Sequence, residues 1–557
     1  MLIVKERWDR LLEGEVRGQL EACLPEILKS RRWFAGKARA IQSVRIVESV
    51  TIPCPSGAVA LLFILVEYLD GIPETYEWPV TAAFGEEAAK LQKDVPGAIV
   101  TALMVRTKDR EEPGVLYDAL WNAEFSRTLL SAMGEGSRFR GKTGTLIASS
   151  TEAYGKLIDG RAAALEPAVM NAEQSNTSVV YGDRLIMKLY RRVENGVNPD
   201  LEIGRILTAI GFAHSPPVAG SIEYSRSSGE TVTVAILQGF VHNRGDAWKY
   251  TLEAFEHYLV RRHAQSSGEE ESVPHEPLLV TAQKEIPASV RELIGPYVTS
   301  ASRIGRRTAE LHVALATVRD NPDFAPEPFS LEYRQSRYES MCRLASQTCS
   351  LLKGQLKDLP PDTAQEARRV VSDEPQILHR FKEFLDVETS ALRIRCHGDY
   401  HLGQVLYTGE DFVISDFEGE PARPIRERRM KHSPLMDVAG MLRSFHYAPY
   451  VALSRQQSKR LPEGDAEKLE AWVRSWSGWV SVVFMNAYLE IAGRASFLPS
   501  SSAEFHVLFN AYLLEKAVYE IRYELNNRPA WVKIPIRAVV ELLETTTPNS
   551  IEGVRRP

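Results

Sequence analysis

The distribution of apolar residues divides the chain into a strand-rich first part and a helix-rich second part. Apolar runs and period-two alternation predict β-strands in the first part, and the longest apolar run, Ala58 to Val66, predicts a buried strand. Gly182 and Asp183 separate two alternating segments and predict a β-hairpin. The predicted strands are 43–52, 58–69, 178–181, 185–190 and 231–237.

Apolar positions recur with a helical period over most of the chain after residue 241, and in a few earlier segments. The predicted helices are 7–30, 84–93, 199–210, 298–317, 434–446, 465–492 and 503–526. One short hairpin, formed by 405–407 and 412–414, interrupts the helical half. The pattern predicts an α+β protein with three units, at 1–95, 96–240 and 241–557.

Composition and charge narrow the class of protein. Hydrophobic residues make up 44% of the chain and charged residues 25%, which is typical of a soluble globular enzyme. The net charge of -6 gives no basic excess that would indicate nucleic acid binding. Five cysteines lie apart without a CxxC pair, and the charged N-terminus lacks the apolar stretch of a signal peptide. These features predict a cytoplasmic protein without a nucleic acid or membrane partner.

The most informative segment runs from Cys396 to Glu420 and contains the strings HGDYHLGQ and DFEGE. Phosphoryl transfer needs an oriented hydroxyl group and metal ions that spread the phosphate charge. Asp399 is suited to accept the hydroxyl proton, while Gln404 and Asp416 offer the oxygen ligands that Mg²⁺ prefers. Each residue alone is weak evidence, but the two strings on either side of a short hairpin together predict metal-assisted phosphoryl transfer from ATP.

A nucleotide site requires a lysine for the phosphates and an acidic partner for that lysine. Lys188 lies in the second strand of the predicted hairpin, and Glu202 lies in the first turn of the following helix. Glu194 is a competing partner, and an ordinary surface lysine is the alternative interpretation of Lys188. No Walker motif is present. The polar segment Glu173–Ser178 precedes the hairpin, and its residues Ser175, Asn176, Thr177 and Ser178 offer hydroxyl and backbone N–H groups to phosphates. The strand ending at Leu237 predicts a hinge where Gln238 to Phe240 present backbone groups to adenine.

A predicted helix near the C-terminus places several sugar-compatible side chains on one face. Lys516, Tyr519, Glu520 and Tyr523 are spaced by three and four residues. Polar groups that bind hydroxyls and aromatic faces that pack on sugar rings are the usual parts of a sugar site. An amphipathic surface helix explains the same spacing equally well. Arg423, just beyond the second string, is a further candidate for substrate or phosphate contact.

These motifs carry a family resemblance. The string HGDYHLGQ resembles the HGDxHxxN loop of aminoglycoside phosphotransferase-like kinases, with Gln404 in place of the usual asparagine. The longer string from His397 to Ala448 resembles bacterial maltokinases, a family that includes forms fused to trehalose synthase. The resemblance extends from the segment Arg31–Lys37 to the segment Tyr519–Tyr523. It implies a bilobal eukaryotic-like kinase fold with an extra N-terminal cap at 1–95, an ATP-binding lobe at 96–240 and a helical lobe at 241–557.

The resemblance also implies an activity. It points to ATP- and Mg²⁺-dependent phosphorylation of maltose at the anomeric hydroxyl, with Lys516, Tyr519, Glu520 and Tyr523 at the disaccharide. Maltose 1-phosphate would then feed α-glucan and glycogen synthesis, and trehalose synthase would be a plausible supplier of maltose. Two alternatives remain open. One is a kinase for a different sugar, an aminoglycoside or choline, and the other is a glycan-binding pseudokinase.

Overall fold

The computed structural model describes residues 1–160, 164–170, 175–264, 278–457 and 466–545. It divides into two compact units. The first unit comprises Met1–His242 together with Ala422–Glu427, and the second comprises Asn243–Pro421 and the chain from Arg428 onward. Among the described residues, no helix combines the length and apolar character needed to cross a bilayer.

The first unit begins with a mixed sheet of seven strands. Its members from the N-terminal part of the chain are β1 (Leu2–Lys5), β2 (Ile41–Cys54), β3 (Gly57–Tyr68), β4 (Glu74–Phe84), β5 (Ile99–Arg106) and β6 (Glu111–Asp118), with helices α1 (Gly14–Lys29) and α2 (Gly85–Asp94) between them. The strand order is β1-β5-β6-β4-β3-β2, and β1 runs parallel to β5. Leu20, Leu24 and Leu28 recur every four residues along α1 and are buried in the core that this sheet forms.

A second sheet of seven strands follows in the same unit. Its elements are α3 (Ala123–Glu135), β7 (Arg138–Arg140), β8 (Gly144–Ser150), α4 (Glu152–Ile158), β9 (Pro167–Val169), β10 (Thr177–Tyr181) and β11 (Leu185–Leu189), then β12 (Arg192–Val193), α5 (Pro199–Ala209), β13 (Val218–Arg226) and β14 (Thr231–Gly239). The order is β7-β8-β13-β14-β11-β10-β9, while β12 pairs with β4 of the first sheet. The predicted hairpin is confirmed, since Tyr181 pairs with Leu185 and Thr177 with Leu189.

The second unit is mostly helical, as predicted. Its helices are α6 (Ala247–Ala264), α7 (Leu278–Thr281), α8 (Ala288–Ile294), α9 (Tyr297–Ala316), α10 (Leu331–Gln355), α11 (Pro361–Ser372) and α12 (Glu374–Asp386). After the short helix α13 (Ile425–Arg428) come α14 (Leu435–Gln457), α15 (Ala466–Ala492), α16 (Ser502–Asn527) and α17 (Lys533–Thr545). Two antiparallel strand pairs complete it. They are β15 (Glu327–Pro328) with β16 (Leu392–Arg393), and the hairpin of β17 (Val405–Tyr407) with β18 (Phe412–Ile414).

Several elements differ from the sequence pattern. The segment 7–30 is a short 3-10 helix, Trp8–Leu12, followed by α1, and α14 continues to Gln457 beyond the predicted 434–446. Strands β4 to β6 were not predicted. Pro79 in β4 weakens the strand signal, and it lies between the segments of β4 that pair with β12 and with β6. The first sheet therefore extends to Asp118, past the predicted range 1–95.

Candidate active site

Asp399 lies in the loop between β16 and β17, and a buried carboxylate holds this loop in place. Asp437, in the first turn of α14, accepts the backbone N–H of His397 at 2.8 Å and that of Gly398 at 3.0 Å. His312 of α9 donates to the same carboxylate at 3.2 Å from Nε2. Burial alone would raise the pKa of Asp437, but the hydrogen bond and charge of His312 outweigh it and lower that pKa. Asp437 therefore anchors the loop as an anion.

The approach of α14 to this loop depends on a residue without a side chain. A Cβ at Gly440 would lie 2.5 Å from the carbonyl oxygen of Tyr400, which is closer than real Cβ contacts allow. On its other side Tyr400 meets α9, where its hydroxyl lies 2.8 Å from Thr308 Oγ1. The loop carrying Asp399 is thus clamped between two helices of the second unit.

His397 connects the Asp399 loop to the segment that follows β18. Its Nε2 donates to the carbonyl oxygen of Ser415 at 3.0 Å, and its ring lies against Tyr400 and Phe417. Since the side chain is almost fully buried and its Nε2 proton is committed to a carbonyl, His397 is a brace and not a proton carrier.

The two predicted metal ligands of the second unit come from the ends of the β17–β18 hairpin. Gln404 ends the 3-10 turn before β17, and its carbonyl oxygen accepts the N–H of Ser415 at 2.9 Å. Asp416 comes directly after Ser415 and has a φ of 66°, in the left-handed region that a residue with a side chain seldom adopts. Such strain persists where the surroundings impose it, and it is common at functional sites. The predicted roles of Gln404 and Asp416 stay predictions.

Two cationic or titratable side chains flank the Asp399 carboxylate. Lys516 Nζ of α16 lies 3.8 Å from Asp399 Oδ1, and His401 Nε2 lies 3.9 Å from Oδ2. Burial and then the positive charges of Lys516 and His397 lower the pKa of His401, although Asp399 and Asp416 oppose this. His401 is consequently biased towards its neutral form. Sequence reasoning did not propose it, although the second histidine of HGDYH was the available signal.

The aromatic residues of α16 lie beside Lys516. The Lys516 ammonium is 5.0 Å from the centre of the Tyr519 ring, and the Tyr519 and Tyr523 rings stack at 6.3 Å. Burial raises the pKa of Tyr519, and the carboxylates of Glu420 and Asp399 raise it further. Tyr523 is 42% exposed and so presents an open aromatic face. Lys516, Tyr519 and Glu420 are therefore electrostatically coupled to Asp399.

Glu520, the fourth predicted sugar residue, has a different environment. It is only 9% exposed, and Arg443 of α14 donates to its Oε2 from Nε at 2.8 Å. Arg443 is itself buried and also contacts His446. Glu520 therefore takes part in an ion pair inside the helical unit, and its contact with a sugar stays a prediction.

In the first unit, Lys188 points towards a carboxylate that the sequence interpretation missed. Its Nζ lies 3.5 Å from Asp200 Oδ2, which also accepts the Tyr190 hydroxyl at 3.0 Å. Asp200 is 1% exposed and lies in the first turn of α5, two residues before the predicted partner Glu202. The available signal was an acidic residue directly after the cap Asn198 and Pro199. Glu202 is partly buried on the same turn.

The polar segment before β10 is described from Ser175 onward, while Glu173 and Gln174 lie outside the described residues. Ser178 is buried directly opposite Lys188 in the β10–β11 ladder, and Ser175 is exposed. Asn176 and Thr177 are partly buried, and Thr177 accepts a hydrogen bond from Arg191.

At the predicted hinge, two backbone donors already have protein partners. The N–H of Gly239 donates to Pro217 and that of Phe240 to Arg184. Gln238 pairs with Ile186 in the sheet. The contact of this segment with adenine stays a prediction.

Arg423 and Glu194 both lie in the first unit. Arg423 is partly buried in a bend just before α13. In the same segment the N–H of Ile425 donates to Glu194 at 3.0 Å, and Glu194 also pairs with Arg192 at 3.2 Å. Glu194 thus holds the segment 422–427, while Asp200 lies beside Lys188.

The chain is similar to several known proteins. Residues 28–121 match the family described as the maltokinase N-terminal cap domain. The chain is 24% identical over 379 residues to a glucosamine kinase of Mycolicibacterium smegmatis, covering 68% of this chain and 80% of that protein. It is 23% identical over 376 residues to a glucosamine kinase of Streptacidiphilus jiangxiensis, covering 67% and 72%. A solved structure of glucosamine kinase in complex with glucosamine, ADP and inorganic phosphate superposes with a TM-score of 0.59 at 16% identity, covering 93% of this chain and 98% of that one.

The fold and the comparisons define a class. The chain shares the α+β kinase fold of the solved glucosamine kinase and carries an N-terminal cap, so the predicted fold class is confirmed. Residues 28–121 match the N-terminal cap domain of maltokinases, so the maltokinase resemblance noted in the sequence is confirmed for this cap.

Proposed function

We propose that this protein transfers the γ-phosphoryl group of ATP to the anomeric hydroxyl of maltose, giving maltose 1-phosphate and ADP. The observation that carries the proposal is the placement of Lys516, 3.8 Å from the Asp399 carboxylate and beside the stacked rings of Tyr519 and Tyr523. The maltokinase-type cap and the relatives, which are sugar kinases, support a sugar as the acceptor.

In the proposed reaction Asp399 accepts the proton of the anomeric hydroxyl while the oxygen of that hydroxyl forms the new bond to the γ-phosphorus. The bond between that phosphorus and the bridging oxygen of ADP breaks in line. Lys516 is placed to orient Asp399 and to offset negative charge at the acceptor side. His397 and Asp437 contribute by fixing the loop, so that Asp399 does not have to be reorganised during the reaction.

The donor set fits a magnesium ion, because Asp416 supplies a carboxylate and Gln404 an amide oxygen, both hard ligands. When bound, Mg²⁺ neutralises phosphate charge. On the nucleotide side we assign Lys188 to the α- and β-phosphates, held in place by Asp200 at 3.5 Å and by Glu202 in the same helical turn. Ser175 to Ser178 would cover the phosphates with hydroxyl and N–H groups.

Glucosamine is the second candidate acceptor, since the sequence relatives are described as glucosamine kinases. Its amino group carries a positive charge when protonated. Two positive charges about 5 Å apart repel by roughly 3 kcal/mol at an effective dielectric constant of about 20, and by less where solvent screens them. An ammonium group beside Lys516 is therefore disfavoured, and the same argument applies to aminoglycosides and choline. A neutral disaccharide avoids this repulsion and can pack a ring on Tyr523.

The test is ADP release with ATP and Mg²⁺ against maltose, glucose, trehalose, glucosamine, an aminoglycoside and choline. We expect maltose to have the highest kcat/KM. The Lys516→Met variant should lose activity with maltose, and its ratio of kcat/KM for maltose to kcat/KM for glucosamine should be smaller than that of the wild type. Good turnover of another acceptor with none of maltose would refute the proposal. Absence of Mg²⁺-dependent ATP binding in calorimetry would instead support a glycan-binding pseudokinase.

If the acceptor is maltose, the product is an activated sugar phosphate suited to α-glucan and glycogen synthesis, and an enzyme that produces maltose, such as trehalose synthase, would supply the substrate. These links are part of the proposal, as is a cytoplasmic location.

A further inference from the structure

The strand that carries Lys188 leads directly into the first sheet. Lys188 belongs to β11 of the second sheet, and the N–H of Tyr190 still bonds to Val234 of that sheet. The next carbonyl, that of Arg191, accepts the N–H of Glu77 in β4 at 2.8 Å, and Arg192 pairs with Tyr76. The chain thus passes from the proposed phosphate-binding lysine into the cap-containing sheet within a few residues.

The side chain of Arg191 joins the same two sheets. It is 1% exposed, and its Nε donates to Thr177 Oγ1 at 2.9 Å. Its Nη2 donates to Asp118 Oδ2 at 2.5 Å, at the end of β6. Thr177 begins β10, directly after Ser175 and Asn176 of the proposed phosphate-covering segment. One guanidinium group therefore connects that segment to a carboxylate of the first sheet.

Asp118 is a fixed anchor for this contact. Besides Arg191, it accepts Trp78 Nε1 at 3.0 Å and the N–H of Leu120 at 3.1 Å. Glu77 is fully buried nearby, and neither of its carboxyl oxygens has a hydrogen-bond partner among the described residues. Burial raises the pKa of Glu77 and the Asp118 charge raises it further, although Arg191 opposes this. Glu77 is accordingly biased towards its neutral form, and the Arg191 guanidinium pairs with Asp118.

Stability alone does not explain this arrangement. Removing two charges from water is costly, and a well-packed apolar pair of similar volume is often as stable as a buried ion pair. An arginine adds a planar, rigid guanidinium group whose N–H donors point in fixed directions. Here the Nε donor of Arg191 fixes the hydroxyl of Thr177, and its Nη2 donor fixes the guanidinium group to Asp118.

We infer that Arg191 is a positioning residue for the nucleotide. Anchored by Asp118, it orients Thr177 and thereby the segment Ser175–Ser178 over the phosphates. The inference rests on the proposed function in so far as it takes that segment to bind ATP. It assigns the first sheet a direct part in nucleotide affinity, in addition to packing.

The experiment compares variants of the full-length protein by calorimetric Kd for Mg·ATP, by steady-state kinetics and by thermal unfolding. Arg191→Met removes both hydrogen bonds, and we expect the Kd and the KM for ATP to rise about tenfold, the size expected for losing a charge-assisted hydrogen bond. The KM for maltose and the kcat at saturating ATP should change by less than about threefold. Thr177→Val should also raise the Kd for Mg·ATP. The Kd of the double variant should not exceed that of the single variant with the higher Kd, because both substitutions act through one contact.

The matched control is Glu48→Gln. Glu48 is a buried carboxylate of β2 that accepts hydrogen bonds from Thr143 and Tyr224 of the second sheet, so it also joins the two sheets. Strands β14 and β11 separate β13, which carries Tyr224, from β10, which carries Thr177. We expect this variant to lower the unfolding temperature and to leave the Kd for ATP unchanged.

Two results would overturn the inference: wild-type ATP affinity in both Arg191→Met and Thr177→Val, or an equal loss of affinity in Glu48→Gln. If Arg191→Met does not fold, Thr177→Val with its Kd decides the matter. Failure of the proposed function is distinguishable, because an unmodified protein that binds Mg·ATP but phosphorylates no maltose refutes the acceptor and leaves the Kd comparison intact.

Discussion

Replacing Asp437 should uncouple the loop that carries Asp399 from the helices of the second unit. In Asp437→Ala the N–H groups of His397 and Gly398 and the Nε2 of His312 lose their acceptor. A buried donor left without a partner costs about 1–3 kcal/mol. Three such losses sum to roughly 3–9 kcal/mol, less whatever hydrogen bonding to entering water restores. Because the lost contacts hold the loop of Asp399, we also expect kcat to fall by more than about a hundredfold.

The same residue gives a pH dependence with a defined sign. The pKa of Asp437 is lowered in the folded protein, so its contribution to stability is present above the unfolded-state pKa of the group. That contribution is lost as the pH falls through the folded-state pKa. The difference in stability between the wild type and Asp437→Ala should therefore shrink under acid conditions.

The assay is urea unfolding at neutral and acid pH, together with kcat for maltose at saturating substrates. Asp411→Asn is the matched control, since Asp411 pairs with Arg307 in the same unit and is 35% exposed. An ion pair with this exposure contributes about 0–1 kcal/mol. Wild-type kcat in a folded Asp437→Ala protein would refute the role of Asp437 as the anchor of the loop.

Three further predictions concern the replacement of single residues. Asp399→Asn should lower kcat by several orders of magnitude while leaving the unfolding temperature near that of the wild type, and near-normal turnover of maltose would exclude Asp399 as the base. Burial opposes ionisation of Glu48, but hydrogen bonds from Thr143 and Tyr224 lower its pKa from the ordinary value of 4.5 to about 2. This shift corresponds to at most roughly 3 kcal/mol of stability at neutral pH, less the part that solvent screens. In urea unfolding, the deficit of Glu48→Gln should be full above pH 4.5 and disappear as the pH falls towards 2, and a deficit independent of pH would contradict the linkage. Gly440→Ala should force α14 away from Tyr400, reducing stability by roughly 1–3 kcal/mol and lowering kcat, whereas Gly354→Ala, at a helical glycine with open space around it, should be neutral or stabilising.

Local features of the site were predictable because they depend on spacing along the chain. The hairpin around Lys188 has the predicted partners, and Gln404 and Asp416 flank the predicted β17–β18 hairpin. In both cases a turn fixes the register of two neighbouring strands, so the sequence determines which side chains share a face.

The residues that pack between distant segments were not predictable in this way. Asp200 lies closer along the chain to Lys188 than Glu202 does, but its place beside the lysine depends on how α5 packs against the sheet. Glu520 has the spacing of a sugar-binding residue, yet it is buried against Arg443 of another helix. The helical period specifies the direction in which a side chain leaves the axis of its helix, but it does not specify which helix packs against that side.

The sequence by itself predicted phosphoryl transfer, through HGDYHLGQ, the hairpin and DFEGE, and its resemblance to maltokinases predicted the N-terminal cap. Only the tertiary structure decided that Lys516 lies beside Asp399, that Asp437 anchors the loop, and that Arg191 connects Thr177 to Asp118. The physical reason is that these contacts join residues from 14 to 117 positions apart along the chain. Such pairs form where whole sheets and helices bury their apolar faces, a global outcome that no local pattern encodes.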